Sequence, residues 1–291
     1  MQGISKAVIL AAGLGTRMLP ATKAVPKELF PVVDRPLIQY AVEEAASAGA
    51  RHVIMVVAPG KEAIAEHFSD HTRANEWAEG SGDPNRAALV ERPGRLARID
   101  FVSQEKPLGI AHAVACAREH VEGEPFALMF PDDLILSEQP CLAQLAGAYS
   151  GEGSMLAVQR VAESELSQYG VVDPISEGNP VRLRGIVEKP RPTDAPSNLG
   201  VVGRYILGAS IFRHIDGLTA GVKSELQITD ALARQIEAGE SVVAYRYTGD
   251  RFDTGRPLGY LVAGVAAGLR DGSLGGPLRA RLAELLVETS E

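Results

Sequence analysis

Residues 6–37 read KAVILAAGLGTRMLPATKAVPKELFPVVDRPL, and the order of residue types in this stretch decides the fold. The apolar run at 7–12 fits a fully buried parallel strand. Gly13 and Gly15 follow, and without a Cβ they allow conformations that other residues avoid and let phosphate oxygens approach bare backbone amides. Arg17 adds a permanent cation with a rigid fork of donors, and a folded loop could bring Lys23 and Lys27 to the same anion. Pro20, Pro26 and Pro31 exclude one long helix here. A dinucleotide fingerprint GxGxxG would need glycine at Met18, and a P-loop would need Lys and Ser or Thr after its last glycine, so neither template fits. A lone GxG is equally compatible with a plain strand-to-helix turn; the cations and prolines downstream favour a polyphosphate site.

Working outward, strand-like runs at 7–12, 52–57, 99–104 and 126–130 alternate with helical patterns. The spacing predicts βαβ units and hence an α/β fold, Rossmann-like, with a mixed, mainly parallel sheet flanked by helices. Residues 36–48 read as the first crossover helix, with Leu37, Tyr40, Ala41 and Val42 facing the sheet and Gly49 ending it. Residues 69–98 are polar, glycine-rich and irregular, with Trp77 among charges, and read as a lid, an interface element or an insertion. Beyond residue 151, runs at 154–159, 170–173, 181–188 and 199–207 come closer together and predict a more antiparallel half. A helix at 228–237, a strand at 242–248 and helices at 257–269 and 277–287 complete the pattern. We read 1–291 as one domain, with halves 1–150 and 151–256 and a C-terminal helical segment, 257–291, suited to assembly.

Composition narrows the class. A net charge of -8 argues against nucleic-acid binding, so cations must be concentrated locally. No apolar run approaches the ~20 residues that span a bilayer, and the N-terminus enters a strand directly, which predicts no membrane partner and a cytoplasmic location. Cys116 and Cys141 are too few for a disulfide framework and form no CxxC pair, so both read as core residues in a reducing compartment.

Asp132 follows the apolar run PFALMFP and falls at the carboxyl end of a strand, the edge at which open α/β sheets bind ligands. A carboxylate there, beside a triphosphate, suits Mg²⁺, and Asp253 in RFDTG is the natural second ligand. A strand-end turn is the competing reading for Asp132 and Asp133. Glu188 and Lys189 in VEKP could serve sugar hydroxyls and a phosphate if the backbone is irregular, since neighbours on a regular strand face opposite ways; a solvated pair is the alternative. His67 and His71 share helical spacing but lack HExxH and read as a solvated face. For His112, at a helix start, capping and packing are equally open.

The opening segment, PLIQYAVEEAASAG from Pro36, PDD at 131–133, QYGVVD from Gln168, VEKP from Val187, APSNLGVVGRYIL from Ala195, ELQITDA from Glu225 and FDTG from Phe252 resemble, in order, the motifs of the sugar-1-phosphate nucleotidylyltransferases. The resemblance extends from Lys6 to Gly255 and implies a nucleotide-diphospho-sugar transferase fold. It also implies direct transfer of a nucleotidyl group to a sugar 1-phosphate with release of pyrophosphate. By resemblance Arg17 and Lys27 hold the triphosphate, Ala12, Gly13 and Gly15 form the nucleotide loop, and Gln104 with Gly109 reads the base, helped by Glu28. Glutamine offers both donor and acceptor, which matches a pyrimidine edge. Asp132 and Asp253 hold Mg²⁺, with Asp133 as a helper; Gly170, Glu188 and Asn198 meet the sugar, and Lys189 its phosphate.

The wording GTRMLPATKAVPKELFPVVDRPLIQY favours the uridylyl branch, with UTP and glucose 1-phosphate as substrates. Thymidylyl transfer is the near alternative, because a 5-methyl group is worth only ~1 to 3 kcal/mol in a pocket. A catalytically silent, ligand-sensing regulator is the distant one, against which the retained Arg17, Lys27, Asp132, Lys189 and Asp253 argue. Where that branch carries a GDE-type sequence, this chain has Lys223, Ser224 and Glu225, which leaves the sugar specificity or local loop geometry open. The resemblance further implies a homo-oligomer, dimer or tetramer.

Overall fold

The apolar opening run forms strand β1 (Lys6–Ala11), and five of its six residues are buried. It is buried on both faces. Val8 belongs to the core on the side of the helix Ile110–Cys116, while Ala7, Ile9 and Ala11 belong to the core on the opposite side, under Leu37–Ser47. A strand covered on both sides has no reason to alternate polar and apolar residues. The computed structural model describes residues 4–69, 72–218 and 225–288; His71, Lys223 and Ser224 lie outside the described residues.

The further strands are β2 (Pro31–Val32), β3 (Arg35–Pro36), β4 (His52–Val57), β5 (Arg98–Ser103), β6 (Phe126–Met129), β7 (Asp133–Leu136) and β8 (Ser154–Arg160). They continue with β9 (Gly170–Pro174), β10 (Val181–Glu188), β11 (Leu199–Leu207), β12 (Val242–Arg246) and β13 (Asp250–Asp253). Nine form one sheet in the order β5-β4-β1-β6-β11-β8-β12-β10-β9. From β5 to β6 the pairings are parallel. The chain moves outward from β1 to β5 and then crosses back to β6 on the other side of β1, so the carboxyl ends of β1 and β6 lie together at a topological switch point. Beyond β6 the pairings are antiparallel except β8 with β12, which gives the mixed sheet its second half.

Two local readings are corrected. Residues 69–98 hold the helices Arg73–Gly80 and Pro84–Glu91. Their signal lies in the caps: Thr72 and Asn75 form a reciprocal capping box, and Asp83 accepts from Asn85 N ahead of Pro84. Neither helix has the long apolar stripe that periodicity detects. Leu37 and Tyr40 turn away from the sheet towards Val32, Leu134 and Ala263, because the C-terminal helix Pro257–Arg270 covers that side. β7 and β13 form a separate antiparallel ribbon, in which Asp253 pairs with Asp133.

Arg204 on β11 is 2% exposed. It donates to the carbonyl oxygens of Phe130, Gly203 and Asp133, each at 2.9 Å, and pairs with Glu44 Oε2 at 2.8 and 3.0 Å. Arg204→Met leaves the largely buried Glu44 carboxylate without its counter-charge, with only Leu142 N still donating to it, and takes one donor from each of those carbonyls, so a loss of about 3–5 kcal/mol is expected from urea midpoints. Away from the cleft, burial acts to raise Glu240, but hydrogen bonds from Ser210, Gln235 and His214 outweigh it and pull the carboxyl from 4.5 down to about 2. A depressed carboxyl stabilises the fold above its unfolded value and loses that contribution as pH falls. Glu240→Gln is therefore expected to be less stable than wild type at neutral pH, with the gap closing between 4.5 and about 2 in unfolding measured against pH.

Candidate active site

Two cavities open along the sheet edge that carries the carboxyl ends of β1 and β6, the first in the parallel half and the second beside it in the antiparallel half. The first, about 300 Å³, is lined by Ala12, Gly13, Lys27, Glu28, Gln104 and Gly109; the second, about 410 Å³, by Arg17, Gly170, Glu188, Lys189, Arg251 and Asp253. Ile110, Phe130 and Asp132 line both, so Asp132 stands where the two meet.

The glycine turn is held from beneath by Lys61. Its Nζ donates to the carbonyl oxygens of Ala11 and Gly13, both at 2.6 Å, and to Glu28 at 2.8 and 3.0 Å. Burial raises Glu28 and lowers Lys61, and each partner opposes the effect on the other. Gly15 sits at φ +67°, where its carbonyl accepts from Thr22 Oγ1 at 2.9 Å. It makes the turn and lines neither cavity, and Lys23 lines neither as well. Gly109, at φ +108°, is required by close approach: a Cβ there would lie 2.5 Å from Leu226 O. The Gln104 loop is stitched to that neighbouring segment by two backbone hydrogen bonds of 2.8 Å, between Leu108 and Leu226 and between Ala111 and Leu226.

At the junction Lys27 Nζ lies 2.5 Å from Asp132 Oδ2. Burial acts to raise Asp132, but Lys27 outweighs it and holds the carboxyl below its ordinary value; burial acts to lower Lys27, and Asp132 keeps it raised. A Cβ placed on Gly255 would be 3.1 Å from both Asp132 Oδ2 and Asp253 Oδ1. The two oxygens are thus no further apart than twice that distance, and glycine leaves the space between them clear. Asp133 also borders the second cavity, but its oxygens are occupied by the protein. It accepts from Gly203 N at 2.7 Å and from Arg251 Nε at 2.8 Å, which makes it part of the scaffold.

Glu188 and Lys189 reach the second cavity together because Lys189 adopts φ +47°, which breaks the alternation of the strand. Thr229 Oγ1 donates to Glu188 Oε2 at 2.9 Å, and Lys189 Nζ lies 2.7 Å from Glu188 Oε1. Gly170 pairs directly with Glu188, and a Cβ there would be 2.8 Å from Thr229 Cγ2. Asn198 is the exception. It lines a different cavity, and its Oδ1 accepts from Arg160 at 3.4 Å, because the start of β11 points away from the cleft. Lys61, Thr229 and Arg251 are the residues that sequence reasoning missed; Arg251 also donates to Tyr169 Oη at 2.9 Å.

Residues 6–267 match the nucleotidyl transferase family, and the chain belongs to it. Among its relatives, the UTP–glucose-1-phosphate uridylyltransferase of Bacillus subtilis (strain 168) is 40% identical over 276 residues, covering 94% of each chain. That of Staphylococcus epidermidis (strain ATCC 12228 / FDA PCI 1200) is 40% identical over 287 residues, or 98% of this chain and 99% of the relative. The structure of a UTP-bound UGPase from Acinetobacter baumannii superposes with a TM-score of 0.87 at 36% identity, covering 97% of this chain and 99% of that one. A putative glucose-1-phosphate thymidylyltransferase from Bacillus anthracis, at 21% identity and TM-score 0.69 over 90% of this chain and 94% of that one, shares the fold alone.

Lys61→Met removes the cation that joins Gly13 to Glu28. It is expected to lower stability by about 3 kcal/mol or more and to weaken nucleoside triphosphate binding, as read by thermal unfolding and titration calorimetry.

Proposed function

We propose that this protein transfers the uridylyl group of UTP to glucose 1-phosphate, giving UDP-glucose and pyrophosphate. The observation that carries the reading is the pair of cavities joined at Asp132, one with a glycine turn and Lys27, the other with Glu188 and Lys189. The names of the relatives favour uridine over thymidine, and the cationic and acidic residues in the cleft favour an enzyme over a silent regulator.

The sugar phosphate attacks the α-phosphorus of UTP directly, and no enzyme nucleophile is needed. Catalysis then rests on bringing two anions together and on stabilising charge at the transferring group. The free cleft keeps Lys27 on Asp132; a triphosphate offers that lysine a second anion. Arg17 and Lys27 hold the triphosphate, Lys189 steers the attacking phosphate, and Glu188, positioned by Thr229, accepts from sugar hydroxyls. Among the described residues no three His, Cys, Asp or Glu side chains are grouped to hold a metal. Two carboxylates on either side of Gly255 fit Mg²⁺, which commonly completes its shell with substrate phosphates and water. Bound to Asp132 and Asp253, that ion supplies charge neutralisation.

On this reading residues 1–150 serve the nucleotide, 151–256 the sugar phosphate, and 257–291 assembly of a cytoplasmic homo-oligomer. Leu258, Leu261 and Leu286 give the C-terminal helices exposed apolar surface, and among the described residues no helix is long and apolar enough to cross a membrane.

Pyrophosphate release is measured with UTP, dTTP, ATP and GTP against several sugar 1-phosphates. UTP with glucose 1-phosphate is expected to be the best pair, and no release with any pair favours the regulator. Asp132→Asn and Lys189→Ala are each expected to reduce turnover about 10²-fold or more with an unchanged circular dichroism spectrum. Wild-type turnover in the double variant would overturn the assignment.

A further inference from the structure

We infer that His112 fixes the direction of the Gln104 amide and so makes the base cavity prefer pyrimidines that carry a ring N–H. The inference rests on the uridylyl reading for its ligand. Gln104 is 7% exposed and follows β5, where its backbone N–H donates to Val57 O at 2.8 Å. Its Nε2 lies 3.2 Å from the carbonyl oxygen of Gly109 and 3.0 Å from His112 Nδ1.

A carbonyl oxygen only accepts, so the end of the amide that faces Gly109 is the NH₂ group. Its second hydrogen then points at Nδ1, which must carry a lone pair: His112 is neutral, with its proton on Nε2. Both amide hydrogens are used, which leaves Oε1 as the remaining polar atom. No partner engages it among the described residues, yet it is not a sealed, unpaired atom. Gln104 lines the nucleotide cavity and His112, in the first turn of Ile110–Cys116, does not. His112 is therefore a positioning residue that acts on the base through Gln104.

The consequence is selective. Uracil and thymine present N3–H, which an oxygen can accept. Cytosine presents a lone pair at N3, so the same oxygen would oppose it, acceptor against acceptor. A flipped amide would reverse this preference, and the flip is opposed by Gly109 O and by the lone pair of His112. A donor at position 112 would favour the flip.

Dissociation constants for UTP and CTP are measured by titration calorimetry on the wild-type chain and on His112→Leu, His112→Asn and His112→Lys, with pyrophosphate release recorded separately. His112→Leu is expected to narrow the CTP:UTP ratio of dissociation constants about ten-fold. His112→Asn, which can place an acceptor near Nδ1, should retain the ratio, and His112→Lys should narrow it at least as far as leucine does. An unchanged ratio in folded His112→Leu, or equal losses for both nucleotides, would mean that the ring only packs and would overturn the inference. If His112→Leu does not fold, the contrast between asparagine and lysine decides the question in the same way. A wild-type chain that selects UTP in binding but releases no pyrophosphate defeats the uridylyl reading alone; one that binds neither nucleotide defeats both.

Discussion

The buried guanidinium of Arg204 sets the geometry on which the cleft depends. It spans from β11 to the turn between β6 and β7, holds the carbonyl oxygens on either side of the Pro131–Asp132 pair, and is neutralised by Glu44 from the first crossover helix. Taking such a pair out of water is costly, and the cost is offset only when nearly every donor is used. Here one residue fixes the turn against two neighbouring elements, which is why Asp132 and Asp133 diverge. Asp133 faces inward to Gly203 N and Arg251, while Asp132 keeps 31% of its side chain open towards the cleft.

The second loop at the switch point is built by the same physics. Lys61 satisfies the carbonyls of Ala11 and Gly13 and neutralises Glu28, so a buried ammonium holds the glycine turn from behind. The two anchoring cations face carbonyls and carboxylates of the protein itself. Two of the cations that line the cleft differ: Arg17 is exposed, and Lys189 keeps 55% of its side chain in solvent and pairs only with Glu188 of the same cavity, so both can meet an incoming anion without unlocking the scaffold. This division reconciles a net charge of -8 with a site for two phosphorylated substrates.

The sequence makes local chemistry legible and long-range pairing illegible. β1, the glycine turn, the aspartate after β6 and the VEKP corner each announce themselves within a few residues. Lys61, Arg204 and Arg251 do not, because a lone cation reads as solvated until its partner is known, and those partners lie 33, 160 and 118 positions away. Asn198 lines another cavity for a related reason: a loop-forming residue beside a motif is not thereby aimed into the cleft. The helices within 69–98 escaped because their evidence is in single capping residues.

The change from parallel to antiparallel pairing explains how one sheet edge serves two ligands. In the parallel half only strand ends reach that edge, so the nucleotide cavity is made from the loops that leave β1, β5 and β6. In the antiparallel half starts and ends share the edge, and β10 finishes opposite the start of β9, which puts Glu188 across from Gly170. Such a pair narrows the cavity from both sides, and only a glycine leaves room there for Thr229, which in turn orients Glu188. The left-handed bend at Lys189 then turns the next side chain into the same space. The strained corner and the close-packed glycine are therefore two parts of one device, and both arise from building the second cavity where strands run in opposite directions.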